Sequence, residues 1–462
     1  MDLDFLSVID EKAEYFDAIS DYLWDNPESA FTEFKSAAKL KEALVDEGFA
    51  LEENLAGIPT AFSGRFGTGK PVIGILAEFD ALSGLGQEAE ATVRTPDGNA
   101  CGHGCGHNLL GAASLAAATA VKRWLEQTKH PGTVILYGCP GEEGGSGKAF
   151  MARDGVFDEL DAAFCWHPDD HTYVKNSSCL ANSQILFRFD GLASHAGNAP
   201  HLGRSALDAL ELMNMGVQFL REHIIDAARI HYAITDAGGF SPNVVQPHAE
   251  VLYLIRAPRN EQVQEIYERV CDIAKGAALM TGTTESHDFI KACSNIIVNK
   301  PMVHMLQEKM DALPAPAPTQ DDIEFARKMT LEALTMYPKA DPENPLHWQP
   351  EPLDETETLK FGSSDVGDVS WVCPTAQVST CSEAFGTPGH SWQRVAQGKR
   401  PYAKQMMRYA AKCLAAGAVE MLTNPELVEK AKEDHRKRVG KNGYIPPIPK
   451  GVKPRSMDSI RK

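Results

Sequence analysis

The chain has 462 residues, 43% of them hydrophobic, so it is long enough to form two domains that each bury a core. Its formal net charge of −18 argues against a nucleic-acid partner. No run of eighteen apolar residues occurs, and the acidic start Met1–Phe5 lacks the basic and apolar parts of a signal peptide. We therefore expect no transmembrane helix and a cytoplasmic location.

The first part of the chain has the pattern of an α/β protein. Helical periodicity runs over residues 10–48, and a strongly apolar, alanine-rich helix is predicted over 109–125. Buried strands are predicted over 71–77, 132–138 and 162–166. This alternation predicts a three-layer α/β/α domain with a mixed, mostly parallel sheet. Such sheets carry functional groups at the carboxyl ends of their strands.

From residue 183 the pattern changes to that of a smaller α+β unit. Its predicted elements, in chain order, are strand 184–190, helix 205–222, strands around 231–234 and 250–256, and helix 260–280. This order predicts a small antiparallel, ferredoxin-like sheet with helices on one face. The predicted boundaries are 1–181 and 296–462 for a discontinuous first domain and 182–295 for the insertion.

The sharpest local signal is the run Cys101–His107, in which two thiols and two imidazoles alternate with glycines. Cys101, His103, Cys105 and His107 can converge on a borderline metal ion, because glycine lets the backbone fold tightly between neighbouring ligands. The alternative is a closed structural zinc knuckle. Two features argue against it: no second Cys/His cluster lies at the usual knuckle spacing, and an apolar helix follows at once.

Further candidate side chains follow the predicted strands. Glu142 and Glu143 lie in a glycine-rich turn after one buried strand, where one carboxylate can bind a metal while the other acts as a general base. His167 follows another strand, and Glu78 and Asp80 follow a third. An acidic pair in a loop is often only a solvated turn, and a lone histidine is often structural. Their common position at strand ends favours a shared site.

Two more histidines are candidates on weaker grounds. His390 lies in the tight loop Gly386–Ser391, where a surface turn histidine is the simpler interpretation. His195 falls in the predicted inserted domain, so residue pattern alone does not assign it to the same cluster.

Longer segments, taken in order, resemble the M20 family of metallopeptidases and amidohydrolases, specifically its aminoacylase and aminobenzoyl-glutamate branch. The matching segments are Gly104–Gly111, Tyr137–Lys148, Pro200–Asp208, Ser241–Gln246, Val251–Pro258 and Asp365–Trp371. The resemblance covers nearly the whole chain. It implies a di-metal catalytic domain and an inserted lid or dimerisation domain.

The resemblance also implies a role for each matching residue. Cys105 would bridge two metal ions, and the other ligands would be His107, Glu143, His167 and His390. Glu142 would be the general base, and His195 would reach the active site of the other subunit of a dimer to stabilise the oxyanion. Asn243 and Arg256 would hold the polar end of the substrate. His103 would support the ligands from behind, and Cys101 has no implied role.

Two positions depart from the family pattern. Glu78 stands where the wider family has a metal-binding histidine, although this branch commonly has an acid there. Asn108 stands where most of the branch has aspartate, so the residue that supports His107 is expected to differ.

The implied reaction is hydrolysis of the amide bond of an N-acyl amino acid with an anionic end, such as p-aminobenzoyl-glutamate. Two divalent ions per chain are implied, with manganese favoured and zinc as the alternative, and a homodimer or a heterodimer with a related subunit. Three rival hypotheses remain open at this point: an aminoacylase or dipeptidase on the same scaffold, a non-catalytic partner subunit, and a structural zinc protein.

Overall fold

The computed structural model describes residues 4–334, 337–338, 340–456 and 459, so the outermost residues of the predicted domains lie outside the described residues. The helices are α1 Ser7–Glu11, α2 Ala13–Asp25, α3 Phe34–Asp46, α4 His107–Thr128, α5 Gly147–Arg153, α6 Ala206–Leu220, α7 Asn260–Thr281, α8 Lys300–Ala312, α9 Gln320–Ala333, α10 Val366–Val372, α11 Trp392–Gln397, α12 Pro401–Thr423 and α13 Pro425–Val439.

The strands are β1 Ala50–Glu53, β2 Phe62–Thr68, β3 Val72–Ala77, β4 Leu82–Ser83, β5 Cys101–Gly102, β6 Gly132–Gly138, β7 Ala162–Asp169, β8 His171–Val174, β9 Ser177–Cys179, β10 Ala181–Asp190, β11 Arg229–Asp236, β12 His248–Ala257, β13 Thr284–Cys293, β14 His347–Pro350, β15 Thr358–Lys360 and β16 Thr375–Cys381.

Contacts divide the chain into two units. Unit 1 comprises Met1–Ser177, Ile297–Thr358 and Asp368–Ile445, and unit 2 comprises Ser178–Ile296, Leu359–Gly367 and Pro446–Lys462. The predicted boundaries placed 359–367 and 446–462 in the first domain. Contacts that chain order does not reveal join their described residues to unit 2: Leu180 N donates to Gly362 O at 3.0 Å, and Arg455 Nη1 lies 3.6 Å from Asp288 Oδ2. The assignment of a catalytic and a lid domain stays a prediction.

Unit 1 is built on a large mixed sheet. Among the described residues the strand order is β1-β2-β6-β3-β7-β16-β8-β14. The central strands β6, β3, β7 and β16 are parallel, whereas β1, β2 and β8 pair antiparallel with their neighbours. All residues of β3, β6 and β16 are buried, as expected for parallel strands covered on both faces. The predicted α/β class is confirmed.

Helices α4 and α12 pack on each other and on the central strands of unit 1. The alanine-rich part of α4, from Leu109 to Val121, is buried throughout. Alanine has the highest helix propensity, and its small side chain lets a helix lie close to its neighbours. This packing fixes the start of α4, at His107, against the ends of the central strands.

Unit 2 contains a four-stranded antiparallel sheet with strand order β11-β12-β10-β13, against which α6 and α7 pack. The chain order is strand-helix-strand-strand-helix-strand, so the predicted ferredoxin-like arrangement is present, and its last strand, β13, was not among the predicted elements. The strand β13 was missed because its first half, Thr284–Asp288, is polar and incompletely buried. None of the helices in the described part of the chain combines the length and apolar composition that crossing a membrane requires.

Candidate metal centre

The central strands of unit 1 bring the candidate side chains to one edge of the sheet. Strands β6, β3, β7 and β16 are neighbours in that order and run parallel, so their carboxyl ends meet at the same edge. The candidates that follow or end these strands are Glu142 and Glu143 after β6, Glu78 and Asp80 after β3, His167 in β7 and His390 after β16.

Cys105 and His107 reach this edge through a tight backbone turn. Gly106 has a φ of 76°, in the left-handed region, and caps the start of α4. A Cβ at Gly106 would lie 2.9 Å from Cγ of Pro168, so a side chain there would push the turn away from β7.

Two groups of potential metal ligands share the thiol of Cys105. One group is Cys105, His107 and His167, and the other is Cys105, Glu143 and His390; within each group the donor atoms lie within 4.8 Å of one another. Cys105 Sγ lies 3.2 Å from Nε2 of His167, and Nε2 of His390 lies 3.3 Å from Oε1 of Glu143. The geometry therefore offers two adjacent ligand sets with one common sulfur.

Hydrogen bonds orient the two buried imidazoles. Nδ1 of His107 lies 3.0 Å from Oδ1 of Asp80, and Nδ1 of His167 lies 2.6 Å from the carbonyl oxygen of Pro168. Each Nδ1 can donate its proton to that oxygen, and Nε2 of His167 then faces the thiol of Cys105 with its lone pair. Burial disfavours the charged form of His107, but the charge of Cys105 and the hydrogen bond with Asp80 raise its pKa well above the ordinary value. Burial, and then the charge of Lys175, lowers the pKa of His167 well below its ordinary value, so this imidazole is neutral.

Asp80 holds two parts of the site together. Its Oδ2 accepts a hydrogen bond from the backbone N–H of Glu143 at 2.8 Å, while Oδ1 faces His107. Burial alone would raise the pKa of Asp80, but the hydrogen bond and charge of His107 hold it below the ordinary value. The Asp80 carboxylate therefore joins the turn after β6 to the start of α4.

His390 completes the group of Cys105 and Glu143 from a distant part of the chain. It is held by a hydrogen bond from its backbone N–H to Gly104 O at 3.1 Å, and its φ of 54° is unusual for a residue with a side chain. Hydrogen bonds with Cys105 and then Glu143 raise the pKa of His390 to about 10. The thiol and carboxylate therefore create a local negative field that also suits a cation.

Glu142 lies beside the shared ligands. Its carboxylate groups with Glu78 and His107, with donor atoms within 4.8 Å of one another. Its side chain is only partly buried. This position suits a group that exchanges a proton with a reacting molecule at the edge of the site.

Two features of the site do not follow from the sequence pattern. Lys148, fully buried at the start of α5, places Nζ 2.7 Å from Oε1 of Glu78, whose other oxygen lies 3.2 Å from Nε2 of His107. Asn108 does not support His107. Its amide donates to Ser20 Oγ and Gly398 O, both at 3.1 Å, and the support comes from Asp80.

The other members of the Cys/His run stand apart from these ligand groups. His103 is buried with Nε2 3.0 Å from Leu23 O, and burial, followed by the charge of His107, lowers its pKa to about 4. Cys101 Sγ lies 4.0 Å from Ser83 Oγ. Among the described residues, neither belongs to a potential ligand group.

Glu33 is a buried carboxylate that holds the turn carrying Glu142 and Glu143. Its Oε1 accepts hydrogen bonds from Phe31 N at 2.7 Å and Gly141 N at 2.9 Å, and its Oε2 accepts one from Thr60 Oγ1 at 3.0 Å. Glu33 is fully buried. Burial, and then the charge of Asp80, raises its pKa to about 8.

We expect Glu33→Ala to lower the free energy of unfolding by about 2–4 kcal/mol, because two buried backbone N–H groups lose their acceptor. Glu33→Gln should lower the free energy of unfolding much less than Glu33→Ala, since its amide oxygen still accepts the two hydrogen bonds.

The stability of the parent should also depend on pH through Glu33. Because its pKa in the folded chain lies above the unfolded value of 4.5, the free energy of unfolding should fall as the pH rises from 4.5 to about 8, and it should fall less in Glu33→Gln. Urea unfolding across this pH range measures both effects; equal stabilities for parent and alanine variant would contradict this role.

Unit 2 carries the remaining predicted residues. Nδ1 of the exposed His195 faces the backbone N–H groups of Gly197 at 3.2 Å and Asn198 at 3.0 Å, which makes it an acceptor and leaves the proton on Nε2. The segments of His195 and Asn243 pair, with Ala196 N donating to Asn243 O at 2.9 Å.

Arg256 lies on β12 of the same unit. Its Nη1 donates to Ser363 Oγ at 3.0 Å, while its buried Nε has no hydrogen-bond partner among the described residues. The guanidinium therefore keeps donors available for a further acceptor.

The chain is similar to known proteins over most of its length. Residues 74–453 match the family model described as peptidase family M20/M25/M40. The chain is 46% identical over 466 residues to a p-aminobenzoyl-glutamate hydrolase subunit of Escherichia coli (strain K12), a match that covers 96% of each chain. It is 28% identical over 450 residues to Xaa-Arg dipeptidase of Mus musculus, covering 93% of this chain and 90% of the relative. A solved Bacillus subtilis structure, described as a dinuclear metal binding peptidase from the M20 family, has a TM-score of 0.54 at 16% identity and covers 89% of this chain and 99% of its own.

Proposed function

Because the chain belongs to the M20/M25/M40 peptidase family, it is a hydrolase of amide bonds, and we propose that it cleaves p-aminobenzoyl-glutamate to p-aminobenzoate and glutamate. Membership confirms the family that the sequence segments resembled. The observation that carries the proposal is the thiol of Cys105 shared by two ligand groups, beside a glutamate that can act as a base. The substrate comes from the similarity to the p-aminobenzoyl-glutamate hydrolase of Escherichia coli.

The residues present fit two divalent ions. Cys105, His107 and His167 would hold one ion, and Cys105, Glu143 and His390 the other. A thiolate and imidazoles suit zinc, and the carboxylate also suits manganese; we propose manganese first and zinc as the alternative. When bound, such ions supply Lewis acidity and lower the pKa of a bound water molecule toward about 7.

The chain's own residues would then move the protons. Glu142 takes a proton from the attacking water and passes it to the leaving amine nitrogen. Asp80 keeps His107 in the Nδ1–H form, and the backbone N–H of Glu143 is fixed by the same carboxylate. The partner subunit's His195 would donate its Nε2 proton to the developing oxyanion, and one such donor contributes about 3–4 kcal/mol.

An assembly of two subunits is part of this proposal. The name of the Escherichia coli relative marks it as one subunit of an enzyme, which favours a heterodimer with a related chain, while a homodimer is the alternative. Strand β11 lies at the edge of the unit 2 sheet, with Tyr232 and Ile234 exposed along it. An exposed edge strand with apolar side chains supports association through unit 2.

The substrate carboxylate is assigned to Arg256. Charge-assisted, two-pronged pairing of a guanidinium with a carboxylate would use the donors that Ser363 leaves available. A dipeptidase is the second candidate, because the chain is also similar to an Xaa-Arg dipeptidase.

We expect Arg256→Ala to raise KM for p-aminobenzoyl-glutamate by about 10- to 100-fold, the loss of one charge-assisted pair. Hydrolysis of the diamide of p-aminobenzoyl-glutamate, which has no carboxylate to pair with Arg256, should differ little between Arg256→Ala and the parent. Release of p-aminobenzoate by the purified chain measures this, with Arg269→Ala on α7 as a control. An unchanged KM in Arg256→Ala would contradict the assigned role. A parent that cleaves Xaa-Arg dipeptides in preference would favour the second candidate.

A further inference from the structure

A second group of potential metal ligands lies at the outer edge of the unit 1 sheet, and we call it the edge cluster: His171, His347 and Glu351. Strand β14 is the last strand of the sheet and pairs in parallel with β8, with His347 in register with His171. Glu351 directly follows β14, and its backbone N–H donates to Thr172 O at 2.8 Å. The strand pairing therefore places two imidazoles and a carboxylate side by side.

The donor atoms of the edge cluster are close enough for one ion. They lie within 4.8 Å of one another, and Nε2 of His171 is 3.7 Å from Oε1 of Glu351. The two imidazole rings have centroids 4.2 Å apart with planes at 31°. Two ligands on a tetrahedral zinc ion, each bound at about 2.0–2.1 Å, are separated by about 3.4 Å. Small side-chain rotations would close the remaining difference.

The surroundings of both imidazoles favour the binding of a cation. Nδ1 of His171 lies 2.7 Å from Oδ1 of Asp170, whose other oxygen accepts a hydrogen bond from Gly386 N at 2.9 Å. This fixes the Nδ1–H form and turns the lone pair of Nε2 toward Glu351, as in carboxylate–histidine–metal sites. Nε2 of His347 is buried and has no hydrogen-bond partner in the part of the chain that the structure describes. A buried polar atom without a partner costs free energy, which a bound cation would remove.

We propose that the edge cluster binds a divalent transition-metal ion, such as zinc, in addition to the two ions at Cys105. Two imidazoles and one carboxylate suit borderline cations and leave a fourth position for water. The ring of Phe385 packs against both histidines, with centroids 5.0 Å from His171 and 4.5 Å from His347, and covers one side of the cluster. None of the three ligands belongs to the groups at Cys105, so this inference does not rest on the proposed function.

The ion would fasten the edge strand of the sheet. The segment between α9 and β14 forms no helix or strand among its described residues, and β14 itself is only four residues long. A metal held by both β8 and β14 ties this segment to the sheet, because binding free energy at a preformed site adds to the stability of the folded chain.

The test counts ions in the full chain. Metal-free protein is dialysed against excess zinc, and the zinc bound per chain is measured by mass spectrometry for the parent, His347→Ala and Glu351→Gln. His304→Ala is the matched control, because that imidazole also lies near a carboxylate, 3.4 Å from Glu355, but belongs to no ligand group of the described residues. Urea unfolding without metal checks that the variants fold like the parent.

We expect the parent and His304→Ala to bind one zinc ion more per chain than His347→Ala, and the same difference of one in a Cys105→Ala background. Zinc should also raise the Tm of Cys105→Ala but not of Cys105→Ala/His347→Ala. Glu351→Gln should bind this ion at least about 10-fold more weakly. Because the Glu351 side chain is 47% exposed, we expect this variant to fold, and it tests the proposal if His347→Ala fails to fold. Equal zinc counts in the parent, His347→Ala and Glu351→Gln would overturn the proposal.

Discussion

Replacing Glu142 with glutamine should lower kcat for p-aminobenzoyl-glutamate hydrolysis by about 10²- to 10⁴-fold, the usual contribution of a positioned general base. Glutamine keeps the size and hydrogen-bonding capacity of the side chain but cannot accept the proton of the attacking water. The ions at Cys105 should remain, because Glu142 belongs to neither of the two groups that share that thiol.

Steady-state kinetics and metal analysis on the same samples separate two roles for Glu142. The control is Glu52→Gln, an exposed carboxylate on β1, which should leave both quantities unchanged. If Glu142→Gln hydrolysed the substrate as fast as the parent, the base assignment would be wrong. If it lost metal together with activity, Glu142 would be a ligand instead.

Replacing Cys105 with alanine should remove metal from both positions of the candidate centre, because its thiol is the donor common to the two groups. Loss of a residue that merely supports a ligand weakens metal affinity by about 10- to 100-fold, so loss of a shared ligand should exceed about 100-fold. Hydrolysis should fall to the level of the metal-free protein.

The matched control for Cys105 lies four residues earlier in the same Cys/His run. Cys101→Ala removes a thiol of similar exposure that belongs to no ligand group of the described residues, and it should keep the metal and activity of the parent. Retention of two ions and full activity in Cys105→Ala would contradict a shared role for this thiol. Isothermal titration with manganese and zinc provides the affinities.

Much of the fold could be predicted because the central strands are short, apolar and bounded by turns. Strands β3, β6 and β7 were predicted within a few residues, and their parallel arrangement brings Glu78, Glu143 and His167 to one edge. The position of His390 followed only from family resemblance. Its loop looks like an ordinary surface turn, and its hydrogen bond to Gly104 joins parts of the chain that no local pattern connects.

Other features depend on contacts between distant segments. Lys148 directly follows a glycine-rich turn, where a lysine is normally solvated, yet it is buried against Glu78. His171 and His347 form a pair only because β14 adds to the sheet beside β8. Asp80, rather than Asn108, supports His107 because the turn after β3 reaches the start of α4. Single-sequence patterns do not report such pairings.

The central claim is that the chain is a metal-dependent amidohydrolase of acylated glutamate. It is tested most directly by following release of p-aminobenzoate from p-aminobenzoyl-glutamate with the purified chain before metal removal, after chelation, and after return of manganese or zinc. The account predicts hydrolysis that is lost on chelation and restored as the two positions sharing Cys105 fill. Hydrolysis that persists in metal-free protein, or no hydrolysis by the metal-loaded chain either alone or with a related subunit, would contradict it.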